Sequence, residues 1–288
     1  MSADWRDLSR RAAFESHRLI GWIFWDPVGV SNYAALGVPD GVGYYVATRA
    51  APLAAAGDAV VAAVFGSIHP GVIKYSLDLC RQHTTFVAAA AARDAAVVSG
   101  LRDYAPEIVD PLTELGPAVW DAVDALPVGG RSLFAAHRAW PRPDDPLLSA
   151  WLAVNCIREW RGDTHWAIQI ADGLSPIASG ILDGAWRSYD DDWLPRSRGA
   201  DDSALRDAYD ELDRRGFVTD GKVNRRGTEH RQLLEDRLDD LTVLPWQHLG
   251  EATTRRLIDC IAPVGERLLA RIDATAGPKW MPAARTRA

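Results

Sequence analysis

The sequence predicts a mainly α-helical chain interrupted by one small two-stranded antiparallel ribbon. Three observations predict this. Apolar residues recur at helical spacing through most of the 288 residues. The run 204–234, ALRDAYDELDRRGFVTDGKVNRRGTEHRQLL, reads as helix, short strand, Asp-Gly tip, short strand and helix. Hydrophobic residues make up 48 % of the chain without any apolar run of transmembrane length, so a sizeable interior is available to one large domain or two ordinary ones.

The elements follow from local signals. Residues 7–24 carry an amphipathic helical pattern that Asp26-Pro27 breaks. A short helix at 30–36 closes at Gly37, and Pro39-Asp40-Gly41 is a turn. Helices are expected at 44–56, 58–65, 72–79, 84–101, 112–125 and 132–139. The stretch 141–146, PRPDDP, is the clearest linker, which divides the chain into halves 1–140 and 141–288. A long helix at 145–171 follows despite Gly162, then helices at 177–185, 194–197, 203–215, 229–241 and 253–274, and a frayed tail after Ala276.

The order in 204–234 is that of a winged helix: recognition helix, wing at 217–224, then a long helix. Leu212, Arg215, Gly216 and Val218, followed by Arg226-Gly227, resemble the MarR-type winged helix, in which an LxxRGxV helix end runs into a wing. Further stretches at 43–54 (GYYVATRAAPLA), 158–167 (REWRGDTHWA), 196–199 (RSRG) and 244–250 (LPWQHLG) make the whole chain similar to an actinobacterial MarR-like helix-turn-helix family. The resemblance implies a MarR-like architecture and transfers no catalytic residue. Lysine occurs only at 74, 222 and 279 amid abundant arginine and alanine, which fits a GC-rich genome.

A faint internal repeat accompanies this pattern. Ala125-Leu126-Pro127 and Val243-Leu244-Pro245 lie 118 residues apart, each after an amphipathic helix. The helix starts at Thr84-Thr85-Phe86 and Asp202-Ser203-Ala204 share that offset, and Ala51-Pro52 matches Ser175-Pro176 at a similar one. The reading is a tandem duplicate that imitates a MarR dimer within one chain. Its first half has lost the wing, because 99–111 offers no strand and no basic hairpin.

Charge argues against a simple DNA reader. The formal net charge is −7, and the expected recognition segment 201–211 carries five carboxylates and one arginine. Phosphates repel such a helix, whereas attraction to phosphate supplies most non-specific affinity. Asp190, Asp191 and Asp192 add to the acidity. Lys222, Arg225 and Arg226 around the wing are the DNA-binding candidates and leave DNA open as a partner.

The second candidate region is 155–172. Ile157, Trp160, Thr164, Ala167, Ile168 and Ala171 define one apolar helix face, and Asn155, Arg158, Glu159, Asp163, His165, Gln169 and Asp172 gather on another. Two readings stand open: a solvated face with ordinary ion pairs, or the lining of a polar pocket. A neighbouring carboxylate would raise the pKa of His165 and suit it to acid or base work. His69 lies at a helix break, and Arg49 is a lone charge in an apolar helix that needs a partner. Trp22 and Trp25, beside Tyr33, Tyr44 and Tyr45, are candidates for an aromatic wall among twelve tryptophans, most of which suit core packing.

Negative findings bound the function. Three separated cysteines with no CxxC support neither a disulfide framework nor a zinc ribbon. No nucleotide-binding, metalloprotease or nucleophile-elbow motif occurs, so no cofactor and no metal are expected. The N-terminus lacks a signal-peptide pattern and the expectation is a cytoplasmic protein with no membrane partner, monomeric or homodimeric. Two functions follow. One is a small-molecule-binding MarR-like protein, with Trp25, Tyr45, Arg49, His69, Asn155, Arg158 and His165 at the ligand, serving as a ligand-responsive regulator with weak or lost DNA binding. The other is an enzyme on the same scaffold, with His165 or His69 as acid or base, Glu159 or Asp163 orienting it, and Arg49 or Arg158 holding an anion.

Overall fold

The computed structural model describes residues 4–189 and 192–285. Helix α1 (Trp5–Gly21) starts at Asp4, whose side chain accepts from the Asp7 amide, and it tightens into a 3-10 turn at Trp22–Trp25. Then come α2 (Pro27–Ala34), α3 (Tyr44–Ala50), α4 (Asp58–Phe65), α5 (Pro70–His83), α6 (Phe86–Tyr104), α7 (Val109–Asp124) and α8 (Ser132–Ala139). The helix expected over 44–56 stops at Ala50, just before Pro52, and resumes only as a 3-10 turn at Ala54–Ala56.

The longest helix, α9 (Pro146–Ala171), begins at Asp145, which caps the Leu148 amide. The remaining elements are α10 (Pro176–Trp186), α11 (Trp193–Arg196), α12 (Asp202–Arg214), β1 (Val218–Thr219), β2 (Lys222–Val223), α13 (Arg225–Leu241), α14 (Leu244–Leu249) and α15 (Glu251–Thr275). No helix among the described residues is long and apolar enough to cross a membrane.

Burial sorts these elements into a central body and two lobes. The body's core draws on α1, α6, α7, α9, α14 and α15, so residues from both sides of position 140 share one interior. Its packing is reciprocal: α9 lies against α7 and α8, while α1 lies against α13 and α15. The first lobe holds α2 to α6 around Tyr33, Tyr44 and Cys80, with Val61, Phe65 and Leu77 in an adjoining cluster. The second lobe holds α10 to α13 and the ribbon around Leu182, Leu205, Leu212 and Leu234.

The ribbon matches the expected wing. Val218 pairs with Val223 and Thr219 with Lys222. Asp220 and Gly221 take φ values of 50° and 73°, the positive pair that a tight two-residue hairpin needs. One boundary moves. The helix after the wing starts at Arg225 rather than near 229, because the Asn224 side chain accepts from the Gly227 amide and caps it there. Arg225 and Arg226 therefore occupy the first turn of α13, and Lys222 alone sits on the wing. Among the described residues no strand pair joins α6 to α7; a 3-10 turn at Pro106–Ile108 fills that place.

The C-terminal segment is packed, contrary to the frayed tail expected after Ala276. Met281 and Ala284 are buried. Arg18 donates to the Ala284 carbonyl at 3.2 Å and Arg187 to that of Pro282 at 2.6 Å. Trp280 packs on Trp25 and Trp193, with centroids 5.2 and 5.1 Å away. The sequence signal was weak because one short apolar segment, held by arginines distant in sequence, does this work.

The lobes touch each other. The His69 amide donates to the Arg198 carbonyl at 2.8 Å, and Gly199 lies against His69 and Val72. At the nearby end of α4, Gly66 has φ +59°, and a Cβ there would lie 2.1 Å from Cε2 of Trp166 on α9. Gly66→Ala should lower stability by about 3 kcal/mol, from overpacking and the left-handed backbone together. Chemical denaturation measures this. Added to Trp166→Ala, the same change should cost much less, since the clash partner is gone.

Candidate functional site

The site begins with polar residues that α9 carries into the interior. Asn155, Glu159, Asp163 and Gln169 are all buried, while Ala167 and Ala171, expected on the apolar face, are exposed. The solvated-face reading of this helix thus fails, because packing against α8, α13 and the first lobe covers it from several sides.

Glu159 is the centre. Arg49 of α3 reaches across the lobe boundary and donates through Nε and Nη2 to the two carboxylate oxygens, at 2.8 and 2.6 Å. Arg158 donates to the same carboxylate at 2.8 Å. Two guanidinium groups hold Glu159 far below the usual carboxylate range despite burial. Arg49 also donates to the Tyr45 hydroxyl at 2.7 Å and lies over the Phe65 ring. Tyr45 stacks on Trp25 at 5.9 Å, so an aromatic wall stands beside this charge pair.

A second ionic chain runs from α9 into the winged lobe. Arg161 donates to Glu235 and to Asp239, both at 2.7 Å. Arg231 donates to Glu235 at 2.7 Å and to Asp183 at 2.9 Å, and Arg187 donates to Asp183 at 3.1 Å. Arg10 of α1 completes the chain on Asp239 at 2.8 Å. Each of Glu159, Asp183, Glu235 and Asp239 is therefore shared by two arginines. Asp236 is a further partner of Arg10, so six arginines meet five carboxylates. Two donors stay unused: Nε of Arg158 and Nη1 of Arg231 are buried without a partner.

The histidines lie differently from the acid–base reading. His165 makes no hydrogen bond to a described residue, and neither Glu159 nor Asp163 orients it. Asp163 instead accepts from the Phe134 amide at the start of α8, at 2.9 Å. Burial, reinforced by Arg231, lowers His165 to about 4, opposite to the rise expected from a neighbouring carboxylate. His69 is exposed, and its Nδ1 accepts from the Gly71 amide at 3.0 Å as the cap of α5. The structure does not bring His69 and His165 together.

Asn155 joins a different group. His137 Nε2 is 2.9 Å from the Arg49 carbonyl, which can only accept, so that nitrogen carries the proton. Nδ1 then accepts from the Asn155 amide at 3.4 Å. Burial keeps His137 neutral, lowered to about 4. His17 on α1 is held well below its ordinary value by burial and by Arg158, and it lines a cavity of about 10 Å³ with Arg158, Arg161 and Trp246, room for one water.

In the second lobe α10 packs against α11 and α12, and the ribbon closes on α12. A family profile described as a helix-turn-helix family matches residues 9–275. The chain belongs to this helix-turn-helix family. Searches of curated proteins and of solved structures return no match.

In this helix-turn-helix protein the outer face of α12, the helix expected to serve as recognition helix, is acidic. Along α12 and its cap, Asp201, Asp202, Asp207, Asp210 and Asp213 are exposed, with Arg206 and Arg214 as the exposed cations. Asp192 accepts from the Tyr209 hydroxyl at 2.6 Å, while Asp190 and Asp191 lie outside the described residues. Lys222, Arg225 and Arg226 are exposed, and Arg225 pairs with Glu229 at 2.9 Å.

The sequence reading missed Asp183, Arg187, Arg198, Arg231, Glu235, His17 and His137. One signal was available. Asp183 in ILDGAW is a lone charge in an apolar helix, the same cue that marked Arg49. Nothing local marks the histidines.

Glu159→Gln should cost about 3–5 kcal/mol in a denaturant titration, since two buried arginines then face a neutral amide. Acid should also destabilise the protein through its buried histidines. His17, His137 and His165 refuse protons in the fold that the unfolded chain accepts near its ordinary value of 6.5. Stability is full above that pH, falls through it, and drops about 2 kcal/mol between pH 7.5 and 6. Buried Asp163, raised to about 6, and the raised Glu15 and Asp239 oppose the decline at lower pH. Urea unfolding of His165→Gln should show roughly a third less of the pH-dependent loss.

Proposed function

We propose that this helix-turn-helix protein binds a small molecule in the seam where α9 meets the two lobes. Its architecture is MarR-like and duplicated, so that one chain stands in for a dimer. The observation that carries the ligand reading is a pair of unpartnered buried donors, Arg158 Nε, whose guanidinium lies over Phe24 beside the Trp25–Tyr45 wall, and Arg231 Nη1 over Trp186. Buried donors without partners are uncommon because each costs about 1–3 kcal/mol. One such donor on each of two packed, charge-rich helices, α9 and α13, supports reading the seam between them as a polar site. Trp25, Tyr45, Arg49, Asn155, Arg158 and His165 lie on or beside this seam; His69 serves the α5 cap at its edge.

The duplication reading draws support from the reciprocal packing. The first helix of each half lies against the last helices of the other, α1 on α13 and α15, and α9 on α7 and α8. Residues 1–140 and 141–288 then correspond to two winged-helix-like halves, of which the second keeps the wing. In MarR-type dimers, ligands sit between the dimerisation helices and the DNA lobes, a position the seam shares.

As a regulator the protein would grip DNA weakly. Five exposed aspartates on α12 and its cap face the place where phosphates would lie, and three cations at the wing and the α13 start oppose them. Fluorescence anisotropy with a duplex at low salt should give a log–log salt slope of about −3 at most, one contact each from Lys222, Arg225 and Arg226. Arg225→Glu with Arg226→Glu should abolish that binding, and Asp207→Asn with Asp210→Asn should tighten it. No binding by the parent chain at low salt removes the regulator role. The ligand role is tested separately, by a thermal-shift screen of small molecules with tryptophan fluorescence as the second readout. The absence of any saturable hit that Tyr45→Ala weakens removes it.

A further inference from the structure

A small cavity lies between α1, α9 and α14, and neither Trp25 nor Tyr45 lines it. His17 of α1, Arg158 and Arg161 of α9, and Trp246 of α14 are among its walls. Two of these residues carry a buried nitrogen without a partner: Nδ1 of His17 and Nε of Arg158. The Arg158 side chain is only 9 % exposed, so bulk water does not serve it. Unpaired buried polar atoms are uncommon, and two around one cavity call for a shared occupant.

The lining decides what the occupant can be. A volume of about 10 Å³ holds one particle near the size of a water, which excludes organic molecules and polyatomic ions. Nε of Arg158 can only donate, so the occupant accepts. Among the described residues no carboxylate borders the cavity, and its titratable walls are Arg158, Arg161 and His17. Glu159, Glu235 and Asp239 are turned onto guanidinium groups instead. The field is positive, because Arg158, Arg161 and Arg187 act on His17 against Glu235 alone. A water would accept from Arg158 but leave that field standing. A monatomic anion accepts from Arg158 and from a proton on His17 Nδ1, opposes the field, and brings no proton that needs an acceptor.

We infer that this cavity is a binding site for a single halide ion of about chloride's size, held by Nε of Arg158 and Nδ1 of His17. A halide is slightly larger than a water, so the wall at half-buried His17 yields a little to admit it. One donor comes from α1 and the other from α9, so the ion pins the first helix of the chain to the central one. The inference does not rest on the seam being a ligand site. With the ion bound, Nε of Arg158 is occupied, and the seam reading then stands on Nη1 of Arg231 and the aromatic wall.

The test unfolds the full chain with urea while sodium chloride or bromide replaces sodium gluconate, up to about 0.15 M at constant ionic strength and pH. Each halide should lower the unfolding constant by the factor 1 + [halide]/Kd, the form for a ligand of the folded state. Gluconate is too large to enter. His17→Phe keeps a flat ring but lacks Nδ1, and it should weaken halide affinity at least about tenfold, the loss expected for one charged hydrogen bond. His17→Asn, whose amide can reach the place of Nδ1, should recover part of that affinity. Arg255→Gln, on the exposed face of α15, should leave it unchanged. The second measurement is anomalous diffraction from bromide-soaked crystals of the full chain, with a peak expected between His17 and Arg158. Stability that is equal in halide and gluconate overturns the inference, and so does a halide effect that His17→Phe leaves intact. Bromide on the outer surface alone, an adventitious ion only, or a water refined in the cavity from halide-grown crystals, overturns it too. None of these outcomes bears on the aromatic seam, whose small-molecule screen can be run in gluconate.

Discussion

The placement of Glu159 inside the protein is the constraint from which much of this structure follows. A carboxylate at 1 % exposure is sustained only if positive partners reach it. One partner, Arg158, is its neighbour on α9; the other, Arg49, must come from α3 in the first lobe. That requirement fixes the first lobe against the central helix. It also brings Tyr45 and Phe65 to the same place, because both pack around the Arg49 side chain. Farther along α9, Arg161 imposes the same condition on α13 through Glu235 and Asp239. Ionic pairs of this kind add little net stability over an apolar core, since desolvation offsets attraction. What they set is geometry: a slipped helix would leave a charge unpaired, which is far more costly than a slipped leucine.

Legibility in the sequence followed from how local each determinant is. The wing was readable because Gly216, Asp220-Gly221 and Asn224 act on their immediate neighbours. Even the misplaced start of α13 has a local cause, the Asn224 cap, which competes with the Gly227-Thr228 start chosen from pattern. The polar residues of α9 were also visible as unusual. Their partners were not, because Arg49 lies 110 positions from Glu159 and Arg161 lies 78 from Asp239. Hence the region was marked correctly and its chemistry was read wrongly. His165 looked like an acid or base beside a carboxylate, whereas the carboxylates nearby are engaged elsewhere and arginines press it toward neutrality.

Membership of a helix-turn-helix family and an acidic recognition helix are compatible, because different residues determine them. The winged lobe is held by Leu205, Ala208 and Leu212 on the inner face of α12, against α10 and α13. Those positions recur at helical spacing and say nothing about Asp202, Asp207 or Asp210 on the outer face. The inner face can persist while the outer face changes sign, at little cost in stability. Membership of the family therefore predicts the shape of the lobe and leaves its partner to the surface.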